Sequence, residues 1–393
     1  MKEATLQLVD RILSYIDRYP PGEASADMTE EAFGELALQL FEHQFRSNPA
    51  VKKYAQARRR TPLTIRTWRD IPPMPIQAFK ELTLSCEPIE EAEAVFMTSG
   101  TTNADKRGRH YHPTLRVWDA SMASPFKRFV LPDTDRMRML VLSPGAELNA
   151  HSSLSRYLTR AVELYGAAGS RNYFRADNGL EMSAVLSDLR AVAESGEPVL
   201  LLGATFAYVH LLDFAAEQGF TVKLPAGSRI LDTGGLKGQA REISAEELYS
   251  QFHAVFGVER SACVNMYGMT ELSSQLYDQS IGHSAVSFMD NAADNSIDNA
   301  ANSSAAALQA KVSPPWLRTL VLHPDTLEPV ADGQTGVLAH YDLCSFNSAV
   351  AILTEDIGYK SDSGLVLLGR LKGSEARGCS IALDQLLRAA RNG

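Results

Sequence analysis

Cysteine is scarce in this chain and never paired along it. The four residues, Cys86, Cys263, Cys344 and Cys379, lie far apart, and no CxxC spacing occurs among them. That excludes a disulfide framework and a cysteine-based zinc site. It points to a reducing cytoplasm, where thiols stay free. Long apolar runs are missing too. No stretch reaches the roughly 20 residues that a bilayer-spanning helix needs, and the opening MKEATLQLVDRILSYIDRYP lacks a secretory-signal pattern. Positive charge is in deficit: 38 Lys and Arg face 47 Asp and Glu, a formal net charge of −9. Such a surface argues against a protein built mainly to grip nucleic acid. The Walker spacing GxxxxGK[ST] is also absent, so a nucleotide site here must be of another kind.

What is present is ordinary globular composition, 45% hydrophobic and 22% charged over 393 residues, a length for two or three packed lobes. Leu6, Val9, Ile12, Leu13 and Ile16 recur at helical spacing, which predicts an amphipathic helix packed on the main body and ending at Pro20-Pro21. A second helix is expected from Thr29 to Arg46, with Phe33, Leu36, Leu40 and Phe41 inward, and Arg58-Arg59-Arg60 reads as a solvated helix end. From Met137 to Gly268, strand-like runs (MRMLVLS, VLLLGAT, RILDTGG, SACVNMYG) alternate with helical ones (SSLSRYLTRAVELYG, AYVHLLDFAAEQG, SAEELYSQFHAVFG). Ser244 and Glu247 stand at capping-box spacing, and Ser152 is a candidate N-cap beside His151. Such alternation predicts an α/β domain with a largely parallel sheet flanked by helices, and ligands at the carboxyl ends of its strands. The Asn/Asp/Ser/Ala-rich stretch 290–311 reads as an irregular surface loop. After it, LRTLVLH, GVLAHYD, AILTEDIG and LVLLGR predict a smaller β-rich lobe.

Three stretches carry chemistry, each expected at a strand end or in a loop. Thr98, Ser99, Gly100, Thr101 and Thr102 place hydroxyls around a glycine, with Lys106, Arg107 and Arg109 close behind. Hydroxyl and backbone N–H donors can wrap phosphate oxygens, and cations offset their charge. Tyr267, Gly268, Met269, Thr270 and Glu271 follow a strand. A tyrosine ring can stack on a purine, a threonine hydroxyl can reach phosphate, and a glutamate can hold Mg²⁺ beside it. Thr354-Glu355-Asp356, followed by Gly369-Arg370, supplies a carboxylate suited to ribose hydroxyls and an arginine nearby. Each stretch alone is compatible with an ordinary loop or an acidic turn.

Together, and in this order, TSGTT, YGMTE and TED…GR resemble the phosphate loop, the adenine–magnesium motif and the ribose–hinge motif of the adenylate-forming superfamily. LLGATF, DTGGLKGQAREIS, the run PPWLRTLVLHPDTLEPVADGQTGVLAHYDL and GRLKGSEARGCS narrow the resemblance to the acyl-protein synthetase family of bacterial bioluminescence. The likeness covers most of the chain and is weakest before about Trp68. It implies ATP and Mg²⁺ as cofactors, a fatty or other carboxylic acid as substrate, an acyl-adenylate intermediate, and an acyl reductase or other acyl-acceptor protein as partner. Residue by residue, it implies Thr98 to Thr102 around the phosphates, Gly234 and Gly235 beside the adenine and Tyr267 stacked on it. Thr270 and Glu271 would serve phosphate and metal, Asp356 and Arg370 the ribose, and Cys379 would be the acylated thiol. The implied organisation is a helical segment over 1–65, an adenylate-forming domain over 66–370 with its β-rich lobe from about 313, and a tail over 371–393 carrying Cys379.

The chain departs from the superfamily pattern in three ways. Asn103 stands where glycine is usual, although asparagine tolerates positive φ better than other residues. Glu355 replaces a glycine. Only 23 residues follow Arg370, too few for the mobile C-terminal domain that supplies a lysine elsewhere. Lys372 is the nearest cation along the sequence. Around Cys379, Arg377 can favour the thiolate, and the start of a helix over 380–390 would add to that effect. Cys344, in a loop, is the rival acceptor, and Cys263, in an apolar strand, is expected in the core. Two alternatives stay open at this point: a CoA ligase or acyl-AMP-forming enzyme without self-acylation, and a non-catalytic acyl-binding subunit.

Overall fold

The computed structural model describes residues 1–23, 26–99, 107–234, 240–281, 310–371 and Leu387. The expectations attached to Gly100, Thr101, Thr102, Gly235, Lys372, Cys379 and nearly all of the Asn/Ala-rich stretch lie outside them. The chain divides into two compact units. One comprises Met1–Ser124, Met269–Gln275 and the described residues from Lys311 onward; the other comprises Pro125–Gly268 and the described residues from Leu276 to Ala310.

The first unit opens with α1 (Glu3–Arg18), which buries Thr5, Leu8, Val9, Ile12, Tyr15 and Ile16. Leu8 and Tyr15 are more deeply buried than Leu6 and Leu13, because the buried face is a stripe centred on residues 5, 8–9, 12 and 15–16. Helix α2 (Ala26–Ser47) buries Phe33, Leu36, Leu40 and Phe41 as expected, each side chain contributing about 1.5–3 kcal/mol. Asn48 caps α3 (Pro49–Ala57), accepting from the N–H groups of Ala50 and Val51, and Arg59 and Arg60 beyond it are exposed. A two-residue strand, β1 (Met74–Pro75), leads into the single turn α4 (Ala78–Glu81). Then come the antiparallel pair β2 (Ala94–Met97) and β3 (Arg109–His112), and α5 (Arg116–Phe129), within which the second unit begins at Pro125.

The second unit carries the predicted alternation, with three short strands and a helix over 171–195 that the sequence reading did not include. It runs β4 (Arg138–Val141), α6 (Ser153–Tyr165), β5 (Arg171–Asn172), the small pair β6 (Phe174–Arg175) and β7 (Gly179–Leu180), then α7 (Met182–Ser195) and β8 (Val199–Ala204). It continues through α8 (Thr205–Glu217), β9 (Arg229–Thr233), α9 (Ala245–Phe256), β10 (Cys263–Tyr267) and β11 (Leu276–Asp278). Strands β5, β4, β8, β9 and β10 are parallel neighbours, and β11 pairs antiparallel with β10. Leu140, Leu201, Ile230 and Cys263 form one row across the sheet, all fully buried. Strand β8 is buried at every position, as a parallel strand covered on both faces should be. Ser152 and Ser244 cap α6 and α9 as read, accepting from Ser155 N and Glu247 N.

The first unit closes with β12 (Lys311–Val312), β13 (Leu317–Leu322), β14 (Gly336–Asp342), β15 (Ala351–Ser361) and β16 (Gly364–Arg370). These are the expected β-rich runs, paired antiparallel in the order β13-β14-β15-β16-β12, with β1 parallel to β15. Between β14 and β15 the chain is buried throughout 343–350. Buried loop backbone needs partners. Gln44 donates to the carbonyls of Ser345 and Phe346 and accepts from Val350 N, while Asn48 donates to Ser348 O.

Candidate active site

In the first unit, the hydroxyl-rich stretch begins where β2 ends. Thr98 N donates to Gly108 O at 3.0 Å, and Gly108 N donates to the Thr98 hydroxyl at 2.9 Å, which closes the neck of the loop. Gly108 is buried, and its missing side chain is a place of convergence. A Cβ there would stand 3.1 Å from Thr98 Cγ2, 3.4 Å from Glu271 Oε1 and 3.5 Å from Lys80 Cγ. Thr98 and Glu271, far apart in sequence, therefore meet at one point. Ser99 is exposed beside Thr98.

The turn carrying Thr270 and Glu271 is held from beneath. His110, on β3, bonds Thr270 O through Nδ1 at 3.0 Å and the Ser348 hydroxyl through Nε2 at 3.0 Å. A carbonyl only accepts, so Nδ1 carries the proton and Nε2 accepts from Ser348. Complete burial holds the His110 pKa down at about 4, so the ring stays neutral and keeps this tautomer. Asp342, at the end of β14, accepts from Ser273 N at 2.9 Å, Ser274 Oγ at 2.7 Å and Cys344 N at 2.9 Å. Burial raises its carboxyl above the usual range, against those hydrogen bonds. Neither His110 nor Asp342 was singled out from sequence. His110 and Tyr111 show only strand alternation, and Asp342 looks like any strand-ending acid.

The third stretch lies inside a strand, not in a turn or at a strand end. Asp356 sits within the eleven residues of β15, directly across from Arg370 on β16. Arg370 Nε donates to Asp356 Oδ1 at 3.0 Å, with the guanidinium side 64% exposed and the carboxylate side 12%. Thr354 donates to Leu338 O at 2.9 Å and accepts from Asp356 N at 3.1 Å. Long antiparallel pairing places Asp356 opposite the arginine, and the register shift next to it, between Ile357 and Gly358, coincides with Gly369 at φ 126°, a conformation that favours glycine.

One short segment joins these stretches. Strand β1 pairs with β15 at Ile352 and Leu353, and Ile76 N donates to Leu353 O at 2.9 Å. The Gln77 side-chain amide donates to Glu355 Oε1 at 2.5 Å. Phe79 packs edge-on against His110 at 5.6 Å between ring centroids, and Lys80 follows beside Gly108.

In the second unit, Gly234 follows β9 with φ 77°, and Tyr267 ends β10, whose Met266 pairs with Thr233. Tyr267 and Gly268 are half-buried. Asp232, buried, organises these strand ends. It accepts from Asn265 Nδ2 at 2.8 Å and from the hydroxyls of Thr205 and Tyr249 at 3.2 Å each. The Thr205 hydroxyl shares its one proton with Gly234 O, at 2.9 Å.

Three cysteines are described, and all are buried. Burial pushes the Cys86 thiol up to about 12 and raises those of Cys263 and Cys344 as well. Cys344 is in a loop as expected, but 2% exposed. Among the described residues no group of three His, Cys, Asp or Glu gathers to hold a metal, and no helix is long and apolar enough to cross a membrane.

Residues 6–285 match the family model described as acyl-protein synthetase, LuxE. The long-chain-fatty-acid–luciferin-component ligase of Vibrio harveyi is 21% identical over 384 residues, spanning 95% of this chain and 93% of that protein. The ligase of the same name from Aliivibrio fischeri is 20% identical over 379 residues, spanning 93% and 92%. Among solved structures, 2-hydroxyisobutyryl-CoA ligase in the postadenylation state superposes with a TM-score of 0.61 at 12% identity, over 90% of this chain and 70% of that one. The same ligase in an open conformation with 2-HIB-AMP and CoA gives 0.59, over 91% and 81%. At such identities these two speak for the fold.

Proposed function

This chain belongs to the LuxE acyl-protein synthetase family and is an AMP-forming acid ligase, and from that premise we propose that it activates a long-chain fatty acid and carries the acyl group on Cys379. In the first half-reaction a carboxylate oxygen attacks the α-phosphorus of ATP. The α–β phosphoanhydride bond breaks, and pyrophosphate leaves with the bonding pair. In the second, the Cys379 thiolate attacks the acyl carbon, AMP leaves, and the thiol proton passes to solvent. An acyl reductase or other acceptor protein would then take the thioester; the two ligases above are named for a luciferin component.

The meeting of Glu271 with Thr98 at Gly108 carries this reading. A buried carboxylate beside a threonine that closes a loop neck suits a site for phosphate and a cation. Mg²⁺ commonly takes only one or two protein carboxylates and completes its shell with phosphate oxygens and water, so Glu271 fits as its protein ligand. When bound, the metal would neutralise phosphate charge. The Asp356–Arg370 pair is proposed for the ribose, and Tyr267 beside Gly234 for the purine. Buried, high-pKa thiols are poor nucleophiles because the thiolate is the attacking species. That disfavours Cys86, Cys263 and Cys344 and supports Cys379 as acceptor.

ATP–pyrophosphate exchange across a panel of carboxylic acids tests the first half, and mass spectrometry of the acylated chain tests the second. Exchange should favour long aliphatic acids. A hydroxylamine-labile adduct should map to Cys379, survive Cys344→Ala and vanish in Cys379→Ser. Exchange with no acid at all would sink the reading. An adduct-free enzyme that makes thioester only on added CoA would reduce it to a CoA ligase.

A further inference from the structure

Activation of an acid by ATP builds negative charge on the oxygen bridging the α- and β-phosphates, and fixed cations beside that oxygen lower the barrier. We propose that Lys80 is such a cation, supplied by α4 to the phosphate chain at the Thr98–Glu271 corner. The proposal rests on the acid-activation reading above and goes beyond it by naming a group outside the three motifs.

Three observations place Lys80 there. Its Cγ stands 3.5 Å from the point where a Gly108 Cβ would sit, the same point that Thr98 Cγ2 and Glu271 Oε1 approach at 3.1 and 3.4 Å. The ammonium lies three bonds further out, within reach of any anion held at that corner. Second, the side chain is exposed and makes no hydrogen bond or ion pair among the described residues. A lysine fixed in a salt bridge would have its charge already engaged. Third, the backbone beneath it is anchored on both sides. Ile76 N is bonded to Leu353 O and Gln77 to Glu355, on the strand that carries Asp356, while Phe79 is buried against the His110 ring that holds the Thr270–Glu271 turn. A four-residue helix has little stability of its own, so these tethers are what aim Lys80.

The chemistry requires no proton from Lys80. The carboxylate oxygen forms its bond to the α-phosphorus, the anhydride oxygen departs with pyrophosphate, and the ammonium stays protonated, offsetting charge as it develops. The compact charge of lysine suits a phosphate approached from several directions.

Two measurements on the full-length chain test the proposal. In ATP–pyrophosphate exchange with the best acid of the panel, Lys80→Ala should lose about 100-fold in kcat, a loss of the size seen when one charge-stabilising donor is removed. KM for the acid should stay within about twofold, and Lys80→Arg should recover most of the rate. Melting temperature should not move, because the side chain is exposed. In the unaltered chain, acetylation by an amine-reactive ester, read by mass spectrometry, should fall at Lys80 when MgATP is present and stay constant at Lys53 and Lys360. Parental exchange in Lys80→Ala, or equal acetylation of Lys80 with and without MgATP, overturns the proposal. Absence of exchange in the parent with every acid would instead sink the acid-activation reading, and the acetylation footprint would still report whether Lys80 meets phosphate.

Discussion

Glu271 is a carboxylate in surroundings that ordinarily penalise one. It is 5% exposed, beside the Thr98 side chain and the buried Gly108, and a buried charge persists only where something of opposite sign or a hydrogen bond compensates it. Glu271→Gln keeps the shape and removes the charge. Exchange activity is expected to fall by about 100-fold with KM for the acid little changed, because a group acting on developing phosphate charge is felt in kcat. A variant with unchanged kcat would show that the carboxylate only packs. Thr98 illustrates how far single residues could be read in advance. Its hydroxyl was expected to face phosphate, yet here it accepts the Gly108 N–H. A threonine oxygen has capacity for both, and only the folded loop reveals the first partner.

Among the elements, those with a period were legible and those without one were not. Strand β8, buried at each position, and the capped helices α6 and α9 follow from apolar runs and N-cap serines. The segment 74–81, rich in proline beforehand and too short for any period, shows no such signal, yet it ties Glu355, His110 and Gly108 together. The buried stretch 343–350 is similar, since LCSFNSAV has no pattern that announces burial. Asp342 at its start offers a test. Asp342→Ala would strand Ser273 N, Ser274 Oγ and Cys344 N in the interior, costing about 3 kcal/mol or more, whereas Asp342→Asn keeps an acceptor oxygen and should cost less. Urea unfolding midpoints measure the difference. Exchange activity should fall along with stability in Asp342→Ala because the Glu271 turn loses its support. An alanine variant as stable as its parent would show that the network contributes nothing.

For the whole molecule, buried histidines set a sign for pH dependence. Burial lowers His110 and His340 to about 4 and His112 well below its ordinary value. Between about pH 4 and 6.5 the unfolded chain takes up protons that the folded one refuses, so stability falls as pH drops through 6.5 and this loss levels off near 4. Each site contributes at most about 1.4 kcal/mol per pH unit. The raised carboxyl of Asp342 acts in the opposite sense above pH 3.8, so the informative quantity is the difference between variant and parent. His340→Gln should flatten the fall in melting temperature between pH 7 and pH 5. Identical slopes in both proteins would show that His340 does not contribute.

Particular short stretches, such as DTGGLKGQAREIS and GRLKGSEARGCS, carried the resemblance to acyl-protein synthetases, while composition and periodicity determined the α/β class, the parallel alternation from Met137 to Gly268 and the β-rich runs after residue 313. Those properties are local or additive along the chain, written in the spacing of apolar residues and caps. What the tertiary structure alone decided is which side chains meet. That Thr98, Glu271 and Lys80 share the space beside Gly108, that Asp356 faces Arg370 from within a strand, and that Cys344 is sealed from attack all depend on pairings between distant segments. Such contacts arise from packing and register across the fold, and no window of neighbouring residues encodes them.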